Sequence, residues 1–330
     1  KLGNIYNQAI QLNASRQPTK KIPNVNGAVM TGFTDTDVPT LDGRVFLVTG
    51  ANTGIGLETA RVMAERGARV LLGCRSADKA DAAIASIRET APDAELEHLA
   101  LDLGDLESIR TAEQCVNLEA RLDGLINNAG IMMPPLERTA QGFESQFGVN
   151  HLGPFALTAL LLPVLMATQD ARVVNTSSIA HRGGDIDFAD INAEQGYNRA
   201  KRYGQSKLAN LLFSMELQRR LNAADTSVIS VACHPGIADT ELSRHMPKIL
   251  MLTAPLVSKF FNTSEQGAWP TLMAVTSDEV AGGDYIGPIK RGETAGPAGK
   301  ARASRRAQDT ALAARLWDLS IEMTGTDSVI

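Results

Sequence analysis

The chain has 330 residues, 44% of them hydrophobic, which is ample for a buried core in one large domain or two small ones. Its 32 basic and 37 acidic residues give a formal net charge of -5, so we expect no general electrostatic attraction to nucleic acid or to an acidic membrane. The three cysteines form no even set for disulfides and no zinc spacing, which favours a reducing, cytoplasmic environment. We expect no metal site.

Residues 1–40 lack the regular pattern that follows them, and we interpret them as an N-terminal extension. They also lack the apolar core of a secretory signal, so we expect a cytoplasmic protein, with peripheral membrane contact as an alternative. Residues 41–330 are predicted to form a single domain with a helical tail at residues 300–324. The longest apolar run, Phe155–Ala167, is too short to span a bilayer and contains Pro163, so it predicts a packing helix and no transmembrane segment.

Strand-like and helix-like segments alternate from Arg44 onwards, which is typical of an α/β fold with a doubly wound parallel sheet and helices on both faces. About seven strands are predicted: Val45–Val48, Val70–Leu72, Glu95–Leu101, Leu122–Ile126, Ala171–Asn175, Ser227–Ala232 and the short edge strand Asp284–Ile286. After a first helix that opens near Thr53, the predicted helices are a segment capped by Ser76 that runs to Thr90, then Asp105–Ala120, Gln141–Thr168, Tyr203–Leu221, Ser264–Thr276 and Ala307–Thr324.

Three glycines come soon after the first predicted strand. In the spacing G-x-x-x-G-x-G, Gly50 permits a tight turn, Gly54 lets the backbone approach a pyrophosphate, and Gly56 lets the next helix lie close to the strand. The helix then offers its unpaired N–H groups and positive dipole end to an anion, over Asn52, Thr53, Gly54, Ile55 and Gly56. This arrangement is typical of a Rossmann-like dinucleotide-binding domain, although a strand-to-helix turn without a ligand has the same spacing.

The residue that ends the second strand distinguishes NAD from NADP. In dinucleotide folds an acidic side chain near this position binds the ribose 2′-hydroxyl of NAD. Here the position is occupied by Arg75, whose planar guanidinium suits a 2′-phosphate. The sequence therefore favours NADP over NAD, and the alternative interpretation is that Arg75 is a solvated surface arginine.

Together with the glycine turn, the motifs that follow it make the chain resemble the short-chain dehydrogenase/reductase family over about residues 42–290. The resemblance rests, in chain order, on Thr49-Gly50-x-x-x-Gly54-Ile55-Gly56, Asn127-Asn128-Ala129-Gly130, Asn150, Ser178, Tyr203-x-x-Ser206-Lys207, and Pro235-Gly236 followed by Thr240. The phrases TGANTGIG and NHLGPF and the long interval between Ser178 and Tyr203 look like the retinol dehydrogenase and protochlorophyllide reductase branch, which generally uses NADP. The resemblance suggests a homodimer or homotetramer, with a monomer as the alternative if the C-terminal helix covers the family's helical interface.

The spacing of Tyr203 and Lys207 supports the catalytic role that the resemblance implies. Four positions apart on one helix, the two side chains share a face. A phenol with a pKa near 10 is a poor base at neutral pH, but a neighbouring ammonium stabilises the phenolate and permits proton exchange with an alcohol or ketone oxygen. Ser178 would hydrogen-bond the same oxygen. By resemblance, Asn150 would hold a water that links Lys207 to solvent.

The remaining cofactor contacts come mainly from the resemblance. The adenine is expected to meet the side chain of Asp102 and the backbone N–H of Leu103, although Asp102 could instead cap a helix. The ribose is expected to contact Asn128, Ala129 and Gly130, and the carboxamide is expected to contact Pro235, Gly236 and Thr240. The five histidines, His98, His151, His181, His234 and His245, show no ligand spacing and are interpreted as structural or surface residues.

A second pair, Tyr197 and Lys201, has the same spacing six residues earlier. We favour Tyr203 because an unbroken amphipathic helix follows it and Ser206 precedes its lysine. Tyr197 follows Gly196 in a polar loop predicted over residues 179–202.

The segment Met246–Phe261 is rich in apolar residues, and in this family the region after the sixth strand covers the active site. We expect residues 237–265 to cover a lipophilic substrate, although the same residues could cover the sheet or contact a partner. The leading hypothesis is thus an NADP-dependent alcohol dehydrogenase or carbonyl reductase. Reduction of a carbon–carbon double bond and a non-catalytic NADP-binding interaction module are the alternatives.

Overall fold

The computed structural model describes residues 32–237 and 262–330, which are built around one sheet of eight strands. The strands, numbered in chain order, are β1 Val45–Thr49, β2 Arg69–Cys74, β3 Leu96–Ala100, β4 Gly124–Asn127, β5 Arg172–Thr176, β6 Ile229–Cys233, β7 Tyr285–Lys290 and β8 Ala295–Lys300. Their order across the sheet is β3-β2-β1-β4-β5-β6-β7-β8. The first seven strands pair in parallel and β8 pairs antiparallel with β7. The predicted doubly wound α/β fold is confirmed, with one strand more than expected.

Helices cover both faces of the sheet. They are α1 Gly54–Glu65, α2 Ala77–Thr90, α3 Leu106–Val116, the short α4 Ser145–Phe147, α5 Gly153–Ala167, α6 Arg199–Ala223, α7 Ser264–Thr276 and α8 Thr310–Thr324. All five residues of β1 are buried, since Phe46 and Val48 enter one apolar cluster and Val45 and Leu47 enter another. A strand covered on both faces needs apolar side chains on both, which explains the unbroken apolar run.

Two helices begin at positions that differ from the predictions. The predicted helix Gln141–Thr168 begins only at Ser145, because Gly142 has a left-handed φ of +84° and residues 139–144 form a loop closed by the Thr139 side chain. α6 begins at Arg199, four residues before Tyr203, because the Asn198 side chain accepts hydrogen bonds from the N–H groups of the first turn. The predicted cap Ser76 is confirmed and accepts from Lys79 N.

The helical run Ser145–Ala167 is the single helix in the described parts of the chain that is long and apolar enough to cross a membrane. Most of its apolar window, 72%, is buried inside the protein. This burial agrees with the predicted packing role, since Phe155, Leu157 and Leu161 lie in the apolar core.

The described residues belong to one compact unit, in which Phe33 contacts the edge of the sheet and Asp35 contacts α7. Phe33 bridges to Ala298 of β8, and Trp269 Nε1 of α7 donates to Asp35 Oδ1 over 3.0 Å. The predicted domain division at residue 40 stays a prediction.

The last helix, α8, is held by an aromatic cluster. The ring of Trp317 lies 5.1 Å from that of Phe155 in α5 and 5.8 Å from that of Phe213 in α6, and the Arg220 guanidinium stacks 4.4 Å from the indole. Trp317 is 3% exposed, so its burial contributes to the free energy that holds α8 on the domain.

We predict that Trp317→Ala lowers the free energy of unfolding by about 3–5 kcal/mol, because it removes a large buried side chain and leaves a cavity. Urea denaturation followed by circular dichroism measures the change. Trp317→Phe should recover part of the loss. An unchanged denaturation midpoint in Trp317→Ala would show that α8 contributes no stability through this cluster.

Candidate active site

The glycine turn after β1 is packed against the turn after β4. A Cβ on Gly56 would lie 2.4 Å from Gly50 O and 2.5 Å from Asn128 Nδ2, so no other residue fits there without a shift. Asn128 Nδ2 donates to Thr49 O over 2.8 Å, and the N–H groups of Asn128 and Ala129 donate to Thr49 Oγ1. The predicted ribose-binding residues therefore lie beside the predicted phosphate-binding turn.

The start of α1 has the form of an anion site. Gly54 has a φ of +57°, which turns the chain into the helix, and the Thr53 side chain at the N-cap makes no capping hydrogen bond. Asn52, Thr53, Gly54 and Ile55 are exposed or half-buried. The N–H groups of a helix's first turn have no acceptor within the helix, so they can bind a ligand. The pyrophosphate of a dinucleotide fits this position.

Arg75 and Asp102 lie together at the carboxyl ends of β2 and β3. Arg75 Nη1 is 3.9 Å from Asp102 Oδ2, and the Arg75 side chain is 71% exposed, so its guanidinium can reach an outside phosphate. Asp102 does not cap α3; that role belongs to Asp105, and Asp102 Oδ1 accepts from Gly104 N instead. Leu103 is buried and its side chain packs in the apolar core.

Asn150 lies in a π-helical turn, Gly148–Leu152, that sequence reasoning did not predict. Its Oδ1 accepts from Ile131 N over 2.7 Å, and its Nδ2 donates to Ile131 O and to Ser206 Oγ, each over 2.9 Å. Asn150 thus joins the segment after β4 to α6. Single π-turns inside α-helical runs are frequent at functional sites.

Tyr203 and Lys207 of α6 lie at the carboxyl end of β5, the strand that ends two residues before Ser178. Tyr203 is 4% exposed and Lys207 5%, and Lys207 Nζ lies 5.8 Å from the centre of the Tyr203 ring. Lys207 Nζ donates to Thr176 O at the end of β5 over 3.1 Å. A Cβ on Gly130 would lie 3.4 Å from Lys207 Nζ and 3.1 Å from Asn150 Oδ1, so these two predicted catalytic groups border the same glycine.

The rival pair is arranged differently. Tyr197 precedes the Asn198 cap and is outside the helix, and Lys201 is exposed. Tyr197 Oη donates to Pro134 O over 3.0 Å, and burial raises the pKa of its phenol, with Glu144 adding to the effect. A phenol held in its protonated form suits a hydrogen-bond donor better than a base.

A buried histidine that sequence analysis assigned only a structural or surface role supports the Ser178 turn. His181 Nδ1 lies 2.6 Å from Ser178 O, and His181 Nε2 lies 3.2 Å from Ser304 N. A neutral ring protonated on Nδ1 satisfies both contacts, since it donates to the carbonyl and accepts from the amide. Burial lowers the pKa of His181. The sequence shows no local signal for this contact, which joins residues 123 positions apart.

The turn after β6 holds two predicted carboxamide-binding residues. Gly236 has a φ of +78°, and Asn262 Nδ2 donates to Pro235 O over 3.0 Å. Thr240, His245 and nearly all of the predicted substrate-covering segment 237–265 lie outside the described residues.

Comparison with known proteins agrees with this geometry. The sequence model of the family described as short chain dehydrogenase matches residues 44–248. The chain belongs to the short-chain dehydrogenase/reductase family. It is thereby an NAD(P)-dependent oxidoreductase with the Rossmann fold. Its similarity to human retinol dehydrogenase 12 is 44% identity over 288 residues, which is 86% of this chain and 87% of that protein. Human retinol dehydrogenase 14 is 41% identical over 305 residues, again 86% and 87% of the two chains.

Solved structures of the family superpose on the chain. An uncharacterized protein from Mycobacterium Paratuberculosis gives a TM-score of 0.76 at 40% identity, over 91% of this chain and all (100%) of that one. A Shigella flexneri short chain dehydrogenase complexed with NADP gives a TM-score of 0.58 at 25% identity, over 74% of this chain and 97% of its own. The retinol dehydrogenase-like branch expected from the sequence is confirmed.

The neutral His181 makes stability fall with acid. Its pKa is lowered in the folded chain, so below the ordinary value near 6.5 the unfolded chain binds more protons and folding loses free energy. We predict that from pH 6.5 to pH 5.5 the free energy of unfolding falls by about 1 kcal/mol more in the wild type than in His181→Gln. Urea titrations at both pH values measure this difference. Equal pH slopes in the two proteins would contradict a neutral buried His181.

Proposed function

We propose that this short-chain dehydrogenase/reductase interconverts an alcohol and a carbonyl on a lipophilic small molecule, with NADP as the preferred cofactor. The observation that carries the proposal is that Asn150 and Lys207 border Gly130 and that Lys207 also contacts Tyr203 and Thr176, two residues before Ser178. These contacts lie at the edge of the sheet where the phosphate-binding turn is found. In open α/β sheets this edge is where ligands bind.

The proposed chemistry divides between cofactor and protein. The nicotinamide supplies or accepts the hydride when it is bound. In the direction of reduction, Tyr203 donates its phenolic proton to the carbonyl oxygen, and Ser178 donates a hydrogen bond to the same oxygen. Lys207 stabilises the phenolate that this leaves. Asn150, whose side chain binds Ile131 and Ser206, holds a water in this scheme, and through that water Lys207 exchanges protons with solvent.

Three features support the choice of cofactor and substrate. Arg75 presents an exposed guanidinium at the end of β2 where a 2′-phosphate would lie, and two solved relatives were crystallised with NADP. Relatives named retinol dehydrogenase support a lipophilic alcohol of the retinoid kind as substrate. The complete proton-transfer set favours carbonyl chemistry over a non-catalytic binding module, and the names of these relatives favour it over alkene reduction.

We predict that Tyr203→Phe lowers kcat by about 10²- to 10⁴-fold, the range expected for loss of a general acid–base. Tyr197→Phe should retain kcat close to the wild-type value. Steady-state assays with NADPH and a panel of lipophilic ketones and aldehydes measure both. The opposite pattern would move the active site to Tyr197, and an inactive wild type with tight NADPH binding would favour a non-catalytic module.

Arg75→Ala should raise the KM for NADPH by about 10- to 100-fold, because it removes charge-assisted hydrogen bonds to the 2′-phosphate. The KM for NADH should change little, since NADH has no such phosphate. Arg88→Ala, an exposed arginine in the last turn of α2, serves as the matched control. Equal losses with both cofactors in Arg75→Ala would contradict a phosphate-binding role.

A further inference from the structure

The segment that follows the Asn-Asn-Ala-Gly turn is fixed in a strained conformation. Met133 has a φ of +51°, in the left-handed region that side chains other than those of Gly, Asn and Asp rarely adopt. Ile131, Met132, Met133 and Pro134 are half-buried, so this segment is neither core nor fully solvated. Such strain persists only where the surroundings hold it, and it clusters at functional sites.

Gln146 holds this segment through its buried amide. It is 0% exposed, its Oε1 accepts from Met133 N over 2.9 Å, and its Nε2 donates to Tyr197 Oη and to Arg199 O, each over 3.0 Å. One side chain thus fixes the segment after β4, the loop before α6 and the first turn of α6. The amide oxygen and both N–H groups are used.

Tyr197 completes the connection. Its hydroxyl accepts from Gln146 Nε2 and donates to Pro134 O over 3.0 Å. Met133 N is thus bound by Gln146 and Pro134 O by Tyr197, and these two side chains bind each other. At its other end the segment is bound to Asn150 through Ile131. Through these contacts the segment connects Asn150, a proposed proton-transfer group, with the start of the helix that carries Tyr203.

We propose that Gln146 and Tyr197 are positioning residues that hold Met132 and Met133 as a wall of the substrate cleft, and so set the affinity for an apolar substrate. The inference rests on the proposed function. Methionine side chains are unbranched and polarizable, and they fit apolar ligands of varied shape. Neither Gln146 nor Tyr197 needs to touch the reacting atoms, so the chemical step should be insensitive to them.

The kinetic test compares wild type with Tyr197→Phe and Gln146→Leu, using NADPH and decanal as a lipophilic aldehyde. Each variant should raise the KM for decanal by about tenfold, as expected for lost hydrogen bonds, with kcat and the KM for NADPH within twofold of wild type. The KM of the double variant for decanal should be little higher than that of either single variant, because both substitutions act on the same segment. Ser214→Ala, also on α6, is the matched control: it removes a buried 3.0 Å hydrogen bond to Ser230 of β6, away from the cleft, and should leave the KM unchanged.

A second readout does not depend on turnover. With ¹³C-labelled methionine methyl groups, the signals of Met132 and Met133, assigned by substitution with leucine, should shift or broaden in Tyr197→Phe and Gln146→Leu. The signal of Met63, a core residue, should not. Unchanged Met132 and Met133 signals, an unchanged KM, or a loss of kcat comparable to that of Tyr203→Phe would each overturn the inference. A wild type that reduces no carbonyl would instead contradict the proposed function, while the methyl signals would still test the positioning role.

Discussion

A buried ammonium group is the constraint on which the site depends. Lys207 is 5% exposed, and a charge removed from water needs polar partners close at hand. One such partner is Thr176 O at the end of β5, which accepts a hydrogen bond from Lys207 Nζ and another from Asn210 Nδ2. Ser177 Oγ donates to Lys207 O over 2.7 Å and anchors the helix to the strand. Lys207 of the proposed acid–base pair is therefore held by the sheet itself.

Distant parts of the chain complete this arrangement. Asn150 links the segment after β4 to α6, and His181 links the Ser178 turn to Ser304 near the C-terminus. Gln146 and Tyr197 link Met133 and Pro134 to the start of α6. Each contact satisfies buried polar atoms, so the geometry that positions the proposed catalytic groups also avoids the cost of unpaired donors and acceptors.

Local patterns predicted most of the fold and the residue types of the site. The apolar run of β1 and the Ser76 cap each follow from neighbouring residues, and the first seven strands were placed within a few residues. β8 was missed because its residues, Ala295–Lys300, are mostly glycine, alanine and proline, which have little preference for strands. The π-turn at Asn150 and the contact of His181 with Ser304 depend on packing between remote residues. The residue pattern within a single segment cannot predict such contacts.

Titration of Tyr203 tests most directly whether Lys207 lowers the pKa of the proposed catalytic phenol. The chain has four tyrosines, so ¹³Cζ-labelled tyrosine gives few signals, and the Tyr203 signal can be assigned with Tyr203→Phe. Because a neighbouring ammonium stabilises the phenolate, we expect this phenol to ionise below the ordinary value near 10 in the wild type and at higher pH in Lys207→Met. Ionisation of Tyr203 at the same pH in both proteins would contradict it.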